Sequence, residues 1–335
     1  MTQDSQKVLV LNSSEIKILL PMSECIELMS DALKDLSRGE VIQPLRMVVR
    51  PPEAKGLMAM MPAYRSGAKS AYGLKAICFF HGNPVFGKDA HQGCVLLSSG
   101  DTGELRAIMN ASTITELRTA AVSAVATRLL SRPEARELAI VGAGVQARAH
   151  LIAISAVRNI KRARVASFNF DRAKQLAIKM RGELRFEIEP VAEVEEAVRN
   201  ADIVVTATSA RQPVIQREWI APGAHINGIG TYSPQAREID SATMAASRIF
   251  VDRRESALNE AGDYLLAAAE GVIGPEDILA EIGEVLLKQK PGRTSDEEIT
   301  LFKSLGLAIE DMACAEYLYQ KAQQESVGTW VKFNL

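Results

Sequence analysis

The run Val141-Gly142-Ala143-Gly144-Val145-Gln146-Ala147 constrains this chain more than any other feature. It follows a short apolar segment, Leu138 to Val141, and opens a longer one, Val145 to Val157, so it reads as strand, glycine turn and helix. In a G-x-G-x-x-A run the first glycine permits the tight turn and the second lets backbone approach a pyrophosphate. The small residue at the end allows helix and strand to pack closely. Free N–H groups and the macrodipole at the helix start then attract the anion. Gly142, Gly144, Val145 and Gln146 are therefore the expected phosphate-side residues of a dinucleotide site.

The segments that follow keep the same grammar. Arg164 to Phe168 reads as a strand and Asp171 to Met180 as a helix, and alternation continues through Phe186 to Ile188, Val194 to Arg199, Ile203 to Ala207, Ala224 to Ile229 and Ile249 to Val251. Such alternation predicts an α/β, doubly wound parallel sheet of the Rossmann type, with helices on both faces. The first 110 or so residues differ. An amphipathic stretch, Met22 to Leu36, precedes the short apolar runs Leu45 to Val49, Gly56 to Met61, Gly73 to Phe80 and Gly93 to Ser98. With Gly, Pro and Asn turns between them, these read as a mostly antiparallel sheet with a flanking helix. Thr113 to Glu116 fits a capping box opening an Ala-rich helix, Ile114 to Leu130. From Thr300 onward the tail reads as a helix to about Gln324, then a strand-like Thr329 to Phe333. Periodicity does not say which domain the tail joins.

Composition narrows the function class. The 335 residues, 47% hydrophobic, suffice for two domains. Lys and Arg number 39 against 41 Asp and Glu, and no block of five like charges occurs, which argues against a nucleic-acid partner. The N-terminus lacks the basic start and apolar core of a secretory signal, and the longest uncharged stretch, Trp219 to Ala236, is broken by two Pro and three Gly. A cytoplasmic protein without membrane spans is the expectation. Cys25, Cys78, Cys94 and Cys314 are widely spaced, and the chain has four His, so neither a disulfide framework nor a metal site is expected.

The second strand of a dinucleotide domain ends in the group that reads the adenosine ribose. The candidates are Asn169, Asp171 and Arg172. An acid accepts from the 2′-OH of NAD, whereas a cation accommodates the 2′-phosphate of NADP. The segment offers both, although Asp171 repels a 2′-phosphate and Phe170 carries no charge, which favours NAD slightly over NADP; Asp171 could equally only cap the next helix. Thr206 and Thr208 fall at a strand end of the kind that lines the cofactor crevice.

Alternation along Tyr72 to Phe80 puts Lys75 on the same face as Gly73, Ile77 and Phe79. An ammonium on an apolar face is costly unless paired, and a bound carboxylate would be such a partner; an edge-strand lysine snorkelling to solvent is the other reading.

Several separated motifs now coincide: Gly73-Leu-Lys75, Ala90-His91-Gln92-Gly93, Leu117-Arg118-Thr119-Ala-Ala121, the phosphate run, and Ile299-Thr-Leu-Phe-Lys303-Ser304-Leu-Gly306. Together they resemble the ornithine cyclodeaminase/mu-crystallin family over nearly the whole chain. The resemblance implies a homodimer in which residues 1–116 and 307–335 form a mixed α+β substrate and dimerisation domain around an inserted dinucleotide domain, 117–306. It also implies that Arg46, Lys75 and Arg118 surround a substrate carboxylate. His91, Gln92, Thr119 and Ser304 match positions that touch the cofactor in relatives, and Arg118, with Ile229 and Gly230 in the run Asn227 to Pro234, is expected beside them at the cofactor.

Departures from the cyclodeaminase pattern refine this. Relatives that release ammonia from ornithine carry an Asp after the fifth strand of the dinucleotide domain and a Glu before the Met-Pro, where this chain has Tyr232 and Ala59. Oxidation, cyclisation and deamination need several positioned acid/base groups, whereas reduction of a ready-made imine needs fewer. The resemblance therefore points to an NAD(P)H-dependent reductase of a 2-imino acid giving an L-amino acid. Lys75 would also donate the proton, and three cations leave room for a second substrate carboxylate, so cyclic pyrroline- or piperideine-2-carboxylate and acyclic iminosuccinate stay open, with Tyr232 and His81 placed to choose. A cyclodeaminase and a non-catalytic mu-crystallin-like NADPH- and ligand-binding protein are the alternative readings.

Overall fold

A computed structural model describes residues 7–67 and 70–333. Among the described residues the chain divides into two compact units. One is formed by the chain up to Arg118 together with the segment from Leu307 onward, the other by Thr119–Gly306.

In chain order the strands are β1 (Lys7–Leu11), β2 (Val41–Ile42), β3 (Met47–Val49), β4 (Leu57–Arg65), β5 (Ala71–Phe79), β6 (His91–Ser99), β7 (Leu105–Asn110), β8 (Glu137–Val141), β9 (Arg162–Ala166), β10 (Glu187–Val191), β11 (Ile203–Thr206), β12 (His225–Gly228), β13 (Ser247–Val251), β14 (Ile278–Glu281), β15 (Ile299–Lys303) and β16 (Thr329–Lys332). The helices are α1 (Ser13–Leu19), α2 (Met22–Ser37), α3 (Ala111–Leu130), α4 (Val145–Val157), α5 (Phe170–Arg181), α6 (Val194–Val198), α7 (Ser241–Ala245), α8 (Arg254–Glu260), α9 (Gly262–Ala269), α10 (Ile282–Leu286) and α11 (Ala308–Glu325).

The first unit is built on a sheet ordered β16-β1-β7-β6-β5-β4-β2, with β3 also on β4. All its pairings are antiparallel except β1 with β7. Alternation along β4 and β5 turns Leu57, Ala59, Met61 and Ala63, and Ala71, Gly73, Lys75 and Ile77, to the buried face, where α11 packs. A Cβ on Gly73 would come within 2.7 Å of the Met312 side chain, so the missing side chain lets α11 approach β5 closely. The tail belongs to this unit: α11 lies against α2, and β16 pairs with β1.

The second unit carries a fully parallel sheet, ordered β10-β9-β8-β11-β12-β15-β13-β14. It is buried on both faces. Leu138 and Ile140 of β8 pack into one apolar cluster with Leu151, Ile154 and Met180, while Ala139 and Val141 pack into the other with Ile226, Ile249 and Leu301. This is the predicted doubly wound arrangement.

Three local readings need correction. Thr300 does not open a helix: Ile299–Lys303 is β15, buried at every position between β12 and β13, and the helix starts at Ala308. A short central strand buried on both faces has no period of its own to separate it from helix. The capping box at Thr113 is absent, because α3 begins earlier, and the Asn110 side chain accepts from the Thr113 backbone N–H at 2.9 Å. Glu116 instead pairs with Lys17 at 3.1 Å. The strand read as Arg164 to Phe168 lies two residues earlier, leaving Phe168 fully exposed beyond it.

Candidate functional site

In the first unit, charge gathers on the buried face. Lys75 sits mid-strand, opposite Met61 and Val95, and is 3% exposed. Its Nζ lies 2.8 Å from Asp311 Oδ2 on α11. Arg118 of α3 donates through Nε to Asp311 Oδ1 at 3.2 Å and through Nη1 to Glu310 Oε2 at 2.7 Å. The partner of Lys75 in the chain itself is thus Asp311, a carboxylate the sequence reading did not single out. Arg46 is half-buried in the segment before β3, close enough to act electrostatically on Lys75. Two of the three cations carry internal carboxylates, so the surplus that suggested a second substrate carboxylate shrinks to one charge at most.

This environment resets proton affinities. Burial, then the Arg118 charge, pulls the Lys75 ammonium down to about 8, against the opposing pull of Asp311. Burial also disfavours the Arg118 charge, but Asp311 and Glu310 outweigh it and hold the guanidinium above its ordinary range. His91 opens β6 with its ring 4.5 Å from Phe79. Burial and the nearby Lys75 and Arg118 charges lower it to about 4, so its imidazole is neutral at pH 7. His81 also meets Phe79 edge-on, with ring centroids 4.3 Å apart. Gln92 points elsewhere, donating to the Asp89 carbonyl at 2.9 Å.

The second unit gathers its candidates at the carboxyl ends of its strands, where β8 has β9 on one side and β11 on the other, a topological switch point. Gly142 has φ +119°, and a Cβ there would meet the Ala207 carbonyl at 2.5 Å. Gly144 caps α4 without a side-chain hydrogen bond and has nothing within 4 Å of its Cβ position. The first turn of α4 thus begins beside an open approach, with Val145 more than half exposed, and Ala147 packs fully buried. These residues fit a pyrophosphate.

At the end of β9, Asn169 caps α5 by accepting from the Arg172 backbone N–H at 3.2 Å, so the capping role considered for Asp171 belongs to Asn169. Asp171 stands exposed, paired with Lys174 at 3.4 Å, and the Arg172 side chain is exposed.

Glu238, another residue missed in the sequence, organises the neighbouring strand ends. Its buried carboxylate accepts from Thr206 Oγ1 at 3.0 Å, Thr208 N at 2.6 Å and Gly230 N at 2.6 Å. Ile229 N bonds to the Thr206 carbonyl at 2.9 Å. Glu238 is pushed up by burial and by Asp263. Asp263 in turn binds Lys303 Nζ at 2.8 Å and the Glu238 and Ile239 amides. Ser304 N bonds to the Gly228 carbonyl, and Asp252 accepts from the amides of Leu305 and Gly306 at 2.5 and 2.8 Å, fixing the turn after β15. Thr119 is buried on α3, and Tyr232 packs half-buried against the core around Ile226. Among the described residues no group of His, Cys, Asp and Glu is arranged to hold a metal, the four cysteines are free thiols, and no helix is long and apolar enough to cross a membrane.

The ornithine cyclodeaminase/mu-crystallin family model matches residues 6–326. The chain belongs to that family. It is 40% identical over 291 residues to the ketimine reductase mu-crystallin of Mus musculus, covering 86% of this chain and 88% of the relative. Among solved structures, the Thermococcus litoralis Δ1-pyrroline-2-carboxylate reductase in complex with NADH and L-proline superposes with a TM-score of 0.94 at 40% identity, covering 97% and 100% of the two chains. An archaeal alanine dehydrogenase dimer with bound NAD gives a TM-score of 0.90 at 34% identity, covering 98% and 100%. Family membership gives the glycine run, the buried Lys75 and the Arg118 pairings a common context.

Proposed function

We propose that this protein is a nicotinamide-dependent reductase that converts a 2-imino acid to an L-amino acid. The observation that carries the reading is the buried pair Lys75 and Arg118, held by Asp311 and Glu310, in a chain that also has a complete dinucleotide loop. A buried cation pair on rigid elements binds a carboxylate bidentately and excludes neutral imines. The bound cofactor supplies hydride from the nicotinamide C4 to the C=N carbon. Lys75 and Arg118, with Arg46, hold the substrate carboxylate, and Lys75, with its lowered affinity for protons, gives a proton to the nitrogen.

For the dinucleotide, Gly142, Gly144, Val145 and Gln146 receive the pyrophosphate, with Thr206, Thr208, Ile229 and Gly230 along the crevice. Asp171 and the uncharged Phe170 favour NAD over NADP, since an exposed carboxylate at this strand end repels a 2′-phosphate. The relatives' reductase and dehydrogenase activities, the L-proline complex and the dimeric alanine dehydrogenase support the same assignment, and we extend the dimer to this protein. The absence of a carboxylate at Ala59 and Tyr232 weighs against ornithine deamination.

The test is loss of reduced-nicotinamide absorbance with NADH and NADPH against pyrroline-2-carboxylate, piperideine-2-carboxylate, and pyruvate or oxaloacetate with ammonia. Turnover with an imine, reduced by at least about a hundredfold in Lys75→Ala, establishes the reductase. Silence across the panel from protein that still binds NADH overturns it.

A further inference from the structure

The four buried charges around Lys75 cancel one another. Lys75 and Arg118 contribute two positive charges, Asp311 and Glu310 two negative ones, and none of these side chains is more than 5% exposed. His91 beside them is neutral at pH 7. The fully buried charges are therefore balanced before any ligand arrives, with the half-buried Arg46 outside that set. A simple anion meets two buried cations that already have carboxylate partners. To take a donor from Lys75 or Arg118 it displaces a buried carboxylate and leaves that charge without compensation, the most costly arrangement for a buried ion.

A ligand that carries a carboxylate and a protonated nitrogen on the adjacent carbon avoids this cost. Its carboxylate takes N–H donors of Lys75 and Arg118, and its own N–H⁺ replaces them at Asp311. The total charge of the buried set is unchanged, and every carboxylate keeps a cationic partner. Asp311 is built for the exchange. One oxygen faces Lys75 and the other faces Arg118, so it borders both donors that a ligand carboxylate would use.

We infer that Asp311, with Glu310 as the fixed counter-charge of Arg118, makes this site select zwitterions, namely 2-iminium and 2-ammonium carboxylates, over 2-oxo and 2-hydroxy acid anions of the same shape. The inference rests on the reductase reading above and narrows it: the species reduced is the protonated imine. The balance is complete. Hydride forms the new C–H bond, the C=N π electrons pass to nitrogen and give the amine, and one proton, from Lys75 or solvent, restores the ammonium product. The 2-oxo acid from which an imine arises by condensation with an amine is thereby kept from occupying the site as an anion.

The experiment compares isosteric pairs that differ only in the charged nitrogen: L-proline against (S)-tetrahydrofuran-2-carboxylate, L-pipecolate against tetrahydropyran-2-carboxylate, and L-alanine against L-lactate. Each is titrated calorimetrically into the NADH-loaded protein at pH 7, where the product amino acids cannot turn over. The expected result is a preference of at least about tenfold for the zwitterion in the pair that fits best, about 1.4 kcal/mol. In Asp311→Asn the preference collapses or inverts, because the variant set has a surplus positive charge and welcomes the anion. Equal affinity within every pair, absence of binding included, overturns the inference without any variant. An unchanged preference in folded Asp311→Asn overturns the role of Asp311. Imine turnover with no such preference leaves the reductase reading standing alone. A preference without turnover of any imine leaves the charge selection standing and removes the reductase.

Discussion

At the residue scale the active ammonium is tuned from two sides. Burial and Arg118 lower Lys75 to about 8, while Asp311 pulls the other way. Only the charged form both holds a carboxylate and has a proton to give, so kcat/KM for the imine falls as pH rises through about 8. Asp311→Asn removes the group that raises the Lys75 proton affinity, and the alkaline limb then moves to lower pH. The substrate's own titration is common to both proteins, so the displacement between their pH–rate profiles belongs to the enzyme; coincident limbs refute the coupling. Lys75 was legible in the sequence because a cation alternating with Gly73 and Ile77 breaks the pattern of its face. Asp311 and Glu310 carried a comparable signal, two acids inside the otherwise uncharged window Ser304 to Ala315. It was masked because acids in the first turn of a helix are ordinarily explained by the dipole. Their role depends on α11 lying across β5, a contact between segments more than 200 residues apart that no local pattern encodes.

At the scale of elements, the second unit joins its strand ends through side chains that bond to backbone. Gly142 holds φ +119° with the Ala207 carbonyl where a Cβ would go. Gly142→Ala is therefore expected to displace the β8 and β11 ends, destabilise by about 1–3 kcal/mol and weaken NADH at least about tenfold by fluorescence titration. Unaltered NADH affinity would detach the turn from cofactor binding. Lys303 and Asp263 are both fully buried, with Thr231 as a shared partner. Removing one partner strands the other, so Lys303→Met should cost about 3–5 kcal/mol in urea unfolding, and Lys303→Met with Asp263→Asn together should cost less than Lys303→Met alone. The alternation of strands and helices made this unit readable, since each helix announces its own period. The exceptions were elements without one. β15 is buried at both faces because it lies mid-sheet, and β14 and α7 to α10 are four to eight residues long, too short for a period to emerge.

At the scale of the whole molecule, the sheet of the first unit has a second face that its sequence treats as interior. Opposite the buried row, β4 presents Met58, Met60, Pro62 and Tyr64, β5 presents Tyr72, Leu74, Ala76 and Cys78, and β6 presents Cys94 and Leu96 between Gln92 and Ser98. An antiparallel sheet facing water on one side alternates apolar with polar residues, and β4 and β5 do not. Met58, Tyr72, Ile42 and Met47 are 41%, 51%, 69% and 60% exposed in the single chain, and a cavity of about 390 Å³ opens among Ile42, Pro44, Pro62, Tyr64, Tyr72 and Leu96. A contiguous apolar face that stays exposed marks an interaction surface. A second copy is the occupant that the alanine dehydrogenase dimer supports, and a two-fold contact needs one self-complementary surface. Light scattering on the purified protein should then give twice the chain mass of 36.4 kDa. Tyr72→Asp with Leu74→Lys places two charges on this face without touching the buried row of Gly73 and Lys75, and is expected to yield monomer that still quenches on binding NADH, because the dinucleotide loop belongs to the other unit. A dimer that survives both charges would move the interface elsewhere on the molecule and leave this apolar face to be covered by something other than its own copy.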